Sequence, residues 1–300
     1  MLTQFLDYLR YELNRAGLTV DAYRNDIEQF SHWLSGSTGR EVDYFSVTTN
    51  DVRAWLAGRA KKGDTPRTLR RKIISLRSFF KWMQKTGKIS RSPLQNVALP
   101  KIGKPLPEIV RPREIETALK EIEQGDIDEE KKLLNYLIVE MLYTLGIRRA
   151  ELIGLNDSDV SVIKSELKVT GKRSKQRIIP VPQRLMAHIE KWQHTRDRNQ
   201  SSEETDKPLL MVKGKRISAG QVYHIVKKSL QNSGARKKSP HALRHSFASG
   251  MLNGGAEIDS VREFLGHSSL ATTQIYTHIS IQEIKKAYIQ AHPRMKDNKK

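Results

Sequence analysis

Cysteine is absent from this chain of 300 residues. Its absence excludes disulfide bonds, thiolate nucleophiles and zinc sites with cysteine ligands, and it fits a reducing cytoplasm. Long apolar runs are missing too. No stretch approaches the length needed to span a bilayer. A signal peptide would have a continuous apolar run near the N-terminus, but polar and acidic residues interrupt this segment. We therefore expect a cytoplasmic protein with no membrane partner.

Acidic residues are scarce relative to basic ones. Asp and Glu number 33 against 53 Lys and Arg, and the net charge of +20 favours an extended polyanion as partner. Nucleic acid is favoured over a membrane surface or an acidic protein, although basic surfaces also occur on proteins that bind no nucleic acid. The hydrophobic fraction of 37% is sufficient for a core in each of two domains.

Apolar side chains recur at helical spacing near the N-terminus, which predicts an all-helical domain over residues 1–99. Its last helix is predicted to begin after Thr65, with Pro66 in the first turn, and to end at Gly87. The apolar positions that predict these helices are Phe5, Leu6, Leu9, Leu13, Tyr23, Ile27, Phe30, Leu34, Leu69, Ile73, Leu76, Phe80 and Met83.

Positive charge is concentrated around this last helix. Residues 59–91 contain about a dozen Lys or Arg and a single acid, Asp64. Clustering of one sign favours a surface that faces DNA, whereas a solvated helix face is the ordinary explanation for a run of charges. The candidate DNA contacts here are Arg67, Arg70, Arg71 and Arg77.

Prolines interrupt the chain between residues 92 and 112, where regular structure should break. We place a linker at residues 100–107, and its Lys101 and Lys104 could lie along DNA phosphates. A second domain is then expected over residues 108–300. It should be mainly helical, with one β-hairpin formed by residues 167–170 and 176–180.

The turn of this hairpin carries Lys172 and Lys175. A lysine at the tip of a tight turn can reach a DNA backbone and donate a proton, although turn lysines are usually only solvated. Upstream, an apolar helix ends at Gly146 and delivers Arg148 beside Glu151, so that the carboxylate could hold the guanidinium toward a phosphate oxygen. An arginine in a surface ion pair is an equally common arrangement.

A second possible phosphate site begins at Ser239, a predicted N-cap followed by Pro240. His241 and Arg244 lie three residues apart and therefore on one face of the helix, whose N-terminus favours an anion. A zinc site formed by His241 and His245 is disfavoured, because zinc-protease helices have Glu after the first His and this sequence has Ala.

A third group of polar residues follows Gly266, which should end a helix. His267 lies at the joint, and Tyr276 lies about two turns further along the next helix. By itself, a lone tyrosine is more often a half-buried packing residue than a catalytic one.

Together these motifs resemble the tyrosine recombinase family in order and approximate spacing. The resemblance covers nearly the whole chain and is strongest to the Xer group, with its short helical N-terminal domain and a C-terminal helix, here at about residues 281–291. It implies an α+β fold that is mainly helical, in which a SAM-like core-binding domain and a catalytic domain clamp DNA. The residues that carry it are Gly146-Ile147-Arg148, Glu151-Leu152, Gly171-Lys172, His241-x-x-Arg244-His245, Leu265-Gly266-His267 and Tyr276-Thr277-His278.

The resemblance also implies a mechanism in which Tyr276 is the nucleophile and forms a 3′-phosphotyrosyl link. Arg148 and Arg244 would clamp the phosphate and stabilise the charge of the transition state. Lys172 would protonate the leaving 5′ oxygen. Lys175 remains the alternative, because the turn departs here from the Gly-Asn that often follows the first lysine in the family.

Three further roles follow from the same resemblance. His267 would donate a hydrogen bond to the phosphate, His241 would help accept the tyrosine proton, and Glu151 would orient Arg148 or the catalytic histidine. Each step exchanges one phosphodiester for another, so the chemistry requires neither a metal ion nor another cofactor.

The implied partners are double-stranded DNA core sites and further protomers. Recombination through a Holliday junction implies a homotetramer, or a heterotetramer with a paralogue, and a regulatory partner protein is compatible with the sequence. The segment 281–291 could pack into a neighbouring protomer or on its own domain. The likeness to the Xer group favours chromosome-dimer resolution at the nucleoid. Integration or excision of a mobile element, a type IB topoisomerase-like activity and DNA binding without cutting remain the alternatives.

Overall fold

The computed structural model describes residues 1–36, 42–103, 109–171, 174–198 and 206–266, together with residues 288, 290 and 291. The chain divides into two compact units, Met1–Pro105 and Leu106–Lys300. In these described ranges no helix is both long and apolar enough to cross a membrane. The prediction of a mainly helical fold with a small sheet is confirmed.

Helices form the secondary structure of the first unit, in the part that the structure describes. Its core is rich in aromatic side chains, and Phe5, Phe79 and Trp82 pack together at ring-centroid distances of 5.3 to 6.1 Å. Leu13 is the exception among the predicted apolar positions, because it follows the first helical segment and is 39% exposed. The elements are α1 (Leu2–Asp7), a π-helix (Tyr8–Glu12), α2 (Gly17–Gly36), α3 (Thr49–Lys61) and α4 (Pro66–Lys85).

Helix α4 begins as the sequence predicts. The Thr65 hydroxyl accepts a hydrogen bond from the Thr68 backbone N–H at 3.3 Å, and Pro66 occupies the first turn, where its missing N–H costs nothing. The helix ends at Lys85, and Gly87 follows with a φ of +70°, a conformation that glycine adopts without strain.

The second unit is built around α6, which is buried along most of its length. Helices α5, α8, α9 and α10 pack against it, so α6 is the central element of the core. The elements in order are α5 (Pro112–Gln124), α6 (Glu129–Thr144), α7 (Arg149–Gly154), a 3-10 turn (Asp157–Asp159), β1 (Val160–Ser161), β2 (Glu166–Thr170), β3 (Gln176–Pro180), α8 (Gln183–Asp197), β4 (Met211–Val212), β5 (Lys215–Arg216), α9 (Ala219–Ser229), α10 (Pro240–Asn253) and α11 (Ile258–Leu265).

The predicted hairpin is confirmed as the antiparallel pair β2 and β3. Strand β1 adds a third strand in the order β1-β2-β3, and β4 pairs with β5 separately. These additional strands are two residues long, too short for a period-2 pattern to predict them. Within the hairpin Val169 is opposite Arg177, so Arg177 shares the inward face with the buried Ile179.

Within the segment 281–291 the structure describes Tyr288, Gln290 and Ala291. Tyr288 is fully buried, and its hydroxyl donates a hydrogen bond to the Thr144 carbonyl at 2.7 Å. Its ring lies 4.9 Å from that of Phe264. In this single chain Tyr288 therefore packs on its own unit.

Candidate active site

A glycine turn after α6 positions the first site residues. Gly146 has a φ of +57°, and a Cβ there would lie 2.4 Å from the Phe247 ring, so only glycine fits. The chain then enters α7 with Arg148 as its N-cap residue. Glu151, three residues on, accepts a hydrogen bond from the Arg148 backbone N–H at 2.8 Å. The turn therefore fixes Arg148 and Glu151 relative to each other.

Glu151 is the centre of the site. Its side chain is 3% exposed, and Arg148 Nη1 donates to Oε1 at 2.7 Å. Arg177 donates from Nη1 to Oε1 at 3.0 Å and from Nη2 to Oε2 at 2.9 Å. Burial raises the pKa of Glu151, but the hydrogen bonds from Arg177 and Arg148 outweigh it and lower the pKa to about 2. The carboxylate is therefore ionised at neutral pH.

Helix α10 delivers Arg244 from the other side. The helix starts as predicted, because the Ser239 hydroxyl accepts from the Ala242 N–H at 3.3 Å. The Arg244 side chain is 9% exposed and lies 4.0 Å from Glu151, and it donates to the Gly146 carbonyl at 2.6 Å. Burial lowers the pKa of Arg244 to about 10, with a further contribution from the charges of neighbouring arginines, so it remains a cation at neutral pH.

The three arginines also bind the C-terminal end of α11. A helix leaves its last carbonyl groups without intrahelical partners. Here each arginine satisfies one of three successive carbonyls, directly before His267 in the sequence. The pairs are Arg177 Nε to Phe264 at 2.9 Å, Arg244 Nη2 to Leu265 at 2.7 Å and Arg148 Nη2 to Gly266 at 2.9 Å.

This arrangement leaves positive charge in excess. Among the described residues, Arg148, Arg177 and Arg244 face the carboxylate of Glu151, which gives a surplus of two positive charges. The Arg148 side chain is 35% exposed, so a ligand can reach it. Such a site suits a phosphate oxygen. In the described ranges no group of three or more His, Asp or Glu side chains could hold a metal ion.

His241 lies in the first turn of α10, as predicted, and part of its surface is exposed to solvent. Partial burial of the ring lowers the pKa of His241, and the nearby charges of Arg149 and His245, then of Arg244 and Arg148, lower it further. The neutral imidazole is therefore the main form at neutral pH, which is the form that can accept a proton.

The structure brings together three of the predicted site residues, Arg148, Glu151 and Arg244. Lys172, His267 and Tyr276 lie outside the described residues, as does Lys104 of the linker.

The predicted DNA contacts differ in their surroundings. Arg67, Arg70, Lys101 and Lys175 are exposed. Arg71 forms a salt bridge with the buried Asp26, and Arg77 donates a hydrogen bond to the Val97 carbonyl. These last two arginines therefore also connect parts of the first unit.

Arg177 is the site residue that the sequence reading missed. It lies in the predicted strand 176–180, where alternation places it on the same face as the apolar Ile179. An arginine at an inward strand position needs a buried partner, and that signal could have identified it. The partner, Glu151, is 26 residues away in sequence.

Comparison with known proteins identifies the family to which the chain belongs. Residues 108–283 match the family model described as the phage integrase family, and residues 2–87 match the phage integrase N-terminal SAM-like domain. The chain belongs to the phage integrase family. This family contains the tyrosine recombinases, and the resemblance inferred from the motifs is confirmed.

Curated relatives match along nearly their full length. A tyrosine recombinase XerC of Chlorobaculum parvum is 35% identical, covering 97% of this chain and 94% of the relative. A tyrosine recombinase XerD of Proteus mirabilis is 33% identical, covering 98% and 93%. The chain is thus a tyrosine recombinase of the Xer type.

A solved structure agrees in fold. The XerH site-specific recombinase bound to its difH substrate, a pre-cleavage complex, matches with a TM-score of 0.68 at 22% identity. The match covers 96% of this chain and 84% of that one.

Proposed function

We propose that this protein is a site-specific DNA recombinase that cuts and rejoins strands through a 3′-phosphotyrosyl link at Tyr276. The observation that carries the proposal is the pair Arg148 and Arg244, held around Glu151 with positive charge in excess. A phosphodiester that is attacked by a tyrosine gains negative charge on its non-bridging oxygens. Guanidinium groups fixed before the reaction stabilise that charge without reorganisation.

The remaining steps are proton transfers. A phenol with a pKa near 10 is a weak nucleophile at neutral pH, and neutral His241 would help to accept its proton. Lys172 would protonate the departing 5′ oxygen, with Lys175 as the alternative. His267 would donate a hydrogen bond to the phosphate. The phosphotyrosine retains the bond energy, so a second strand can be joined by the reverse reaction without a cofactor.

The cellular role we propose is resolution of chromosome dimers. It is supported by the full-length likeness to proteins named XerC and XerD. The substrate would be a pair of double-stranded core sites at the nucleoid, in the cytoplasm. Two protomers per site form a homotetramer, or a heterotetramer with a paralogue, and a regulatory protein can control it. Integration or excision of a mobile element uses the same chemistry and is the second candidate.

The first test recovers the covalent intermediate. Cells expressing the protein are denatured, the DNA attached to it is sequenced, and Tyr276→Phe is treated in parallel. The phenylalanine keeps the ring and loses the nucleophile, so adducts should disappear while DNA binding remains. Adducts at one chromosomal locus support dimer resolution, and adducts at the ends of a mobile element support integration. An adduct formed by Tyr276→Phe would rule out Tyr276 as the nucleophile.

A further inference from the structure

Arg177 lies on strand β3, and its side chain faces inward toward the candidate site. Its guanidinium uses Nη1 and Nη2 on Glu151, at 3.0 and 2.9 Å, and Nε on the Phe264 carbonyl, at 2.9 Å. Its side chain is 16% exposed, compared with 35% for Arg148. The geometry of Arg177 is therefore directed at the protein.

The hydrogen bonds of Glu151 show what Arg177 contributes. The carboxylate accepts four hydrogen bonds, two from Arg177 and two from Arg148, and a carboxylate has about four acceptor sites. Without Arg177, a carboxylate that is 3% exposed would lose half of its donors. The adjacent cations Arg148 and Arg244 would then be drawn further toward it, and away from a ligand.

Arg177 also lies close to two glycines, Gly171 and Gly266, each of which directly precedes a predicted catalytic residue. A Cβ on Gly171, directly before Lys172, would lie 3.3 Å from Glu151 Oε1 and 3.7 Å from Arg177 Nη1. A Cβ on Gly266, directly before His267, would lie 3.3 Å from Arg177 Nη1. Glycine at both positions allows the backbone to approach the ion pair closely.

We propose that Arg177 is a positioning residue of the recombinase site. It saturates Glu151, so that Arg148 and Arg244 keep donors for the scissile phosphate, and it fixes the end of α11 from which the chain continues to His267. This role rests on the proposed function, because it concerns the same phosphate. All three nitrogens of the Arg177 guanidinium donate to protein groups, so the role assigned to it is positioning and not catalysis.

The decisive variant is Arg177→Lys. It keeps the charge but cannot reach Glu151 with two donors and Phe264 with a third, because an ammonium is a compact point donor. We expect Arg177→Lys and Arg177→Gln to lower single-turnover cleavage of a nicked duplex by about 10- to 100-fold, the usual range for residues that orient a site. Lys168→Gln is the matched control, because Lys168 lies on the neighbouring strand and its side chain is 46% exposed.

A double variant distinguishes positioning from general destabilisation. If Arg177 acts through Glu151, Arg177→Gln combined with Glu151→Gln should cleave about as fast as Glu151→Gln alone. Each variant is measured well below its own thermal midpoint, with circular dichroism to show that it is folded. Rescue of cleavage by Arg177→Lys, or equal rates for Arg177→Gln and Lys168→Gln, would overturn the proposal. Fully additive losses in the double variant would overturn the role through Glu151.

Binding of inorganic phosphate provides a readout that needs no cutting. In titration calorimetry, Arg177→Lys should bind phosphate about 10-fold more weakly than Lys168→Gln, because the other two arginines are no longer held in place. Equal binding would overturn the positioning role. If the unaltered protein forms no Tyr276 adduct, the proposed function fails, and the phosphate measurement still decides the role of Arg177.

Discussion

Each unit of the molecule contains a buried cluster of charged side chains, and the two clusters differ in how completely their charges are balanced. The N-terminal cluster consists of Asp26, Arg59, Asp64, Arg71 and Lys72. Arg71 and Lys72 bind Asp26, and Arg59 binds Asp64 with two hydrogen bonds at 2.7 and 3.0 Å. The most buried pair is Asp26, 0% exposed, and Lys72, 2% exposed. One negative and one positive charge balance each other in this pair.

The candidate-site cluster is Arg148, Glu151, Arg177 and Arg244, where three cations share one carboxylate. In the N-terminal cluster the third cation, Arg71, is 45% exposed and its charge is solvated. In the candidate-site cluster Arg244 is 9% exposed, so part of the surplus positive charge is inside the protein. Uncompensated buried charge opposes folding. A surplus of this kind is therefore expected where an anionic substrate completes the balance, whereas the N-terminal cluster serves to join α2, α3 and α4.

The substitution Arg244→Lys breaks the candidate-site cluster at its most buried cation. One ammonium cannot bind the Gly146 and Leu265 carbonyls and also present a planar pair of donors to phosphate. We expect single-turnover cleavage to fall by about 100- to 1,000-fold, the usual loss for one preorganised donor. Near-normal cleavage would contradict the clamp. Arg262→Lys, an exposed arginine on α11, is the control and should cleave normally.

The substitution Lys72→Met breaks the N-terminal cluster while keeping a long side chain against the Trp55 ring, which Lys72 approaches to 5.5 Å. Asp26 then loses a buried partner, and the free energy of unfolding should fall by about 3 kcal/mol. Urea unfolding of the full chain, followed by tryptophan fluorescence, measures this loss. Lys81→Met makes the same change at an exposed position of α4 and should leave the midpoint unchanged. Equal midpoints for both variants would show that the cluster does not stabilise the unit.

Acid titration sharpens the comparison through Glu151. Its folded pKa of about 2 lies below the ordinary value of 4.5, so its stabilising contribution is present above pH 4.5 and is lost as the pH falls toward 2. The shift corresponds to a contribution on the order of 3 kcal/mol. Glu151→Gln should be less stable than the unaltered chain at pH 7, and the difference should shrink toward pH 2. Glu116→Gln, an exposed change on α5, should show no such convergence.

The smallest expected effect is on DNA binding, and it should differ between an exposed arginine and one that is hydrogen-bonded within the protein. Arg70→Gln should weaken DNA binding by about 10-fold or less and lower the slope of log affinity against log salt by about 1, because one phosphate contact is lost. Arg77→Gln removes a hydrogen bond to Val97 and should instead lower the thermal midpoint. The prediction fails if Arg70→Gln leaves the salt slope unchanged while Arg77→Gln reduces it.

The sequence by itself determined the local features of this protein. Helical spacing, the Thr65 and Ser239 caps and the paired strands of the hairpin depend on near neighbours, so they could be predicted and are confirmed. The order of the motifs also predicted the family. Arg148 and Glu151 are three residues apart on one capping turn, so their pairing could be predicted from spacing alone.

Only the tertiary structure decided which distant groups meet. Arg177 and Glu151 are separated by 26 residues, and the carbonyls at the end of α11 lie further still along the chain. The basic stretch 59–91 likewise contains both exposed arginines and the buried Lys72, although the sequence does not distinguish these cations from one another. Residues of the same type have different roles because they differ in burial and in their long-range hydrogen bonds. Burial and these hydrogen bonds arise only when the helices and the hairpin pack together.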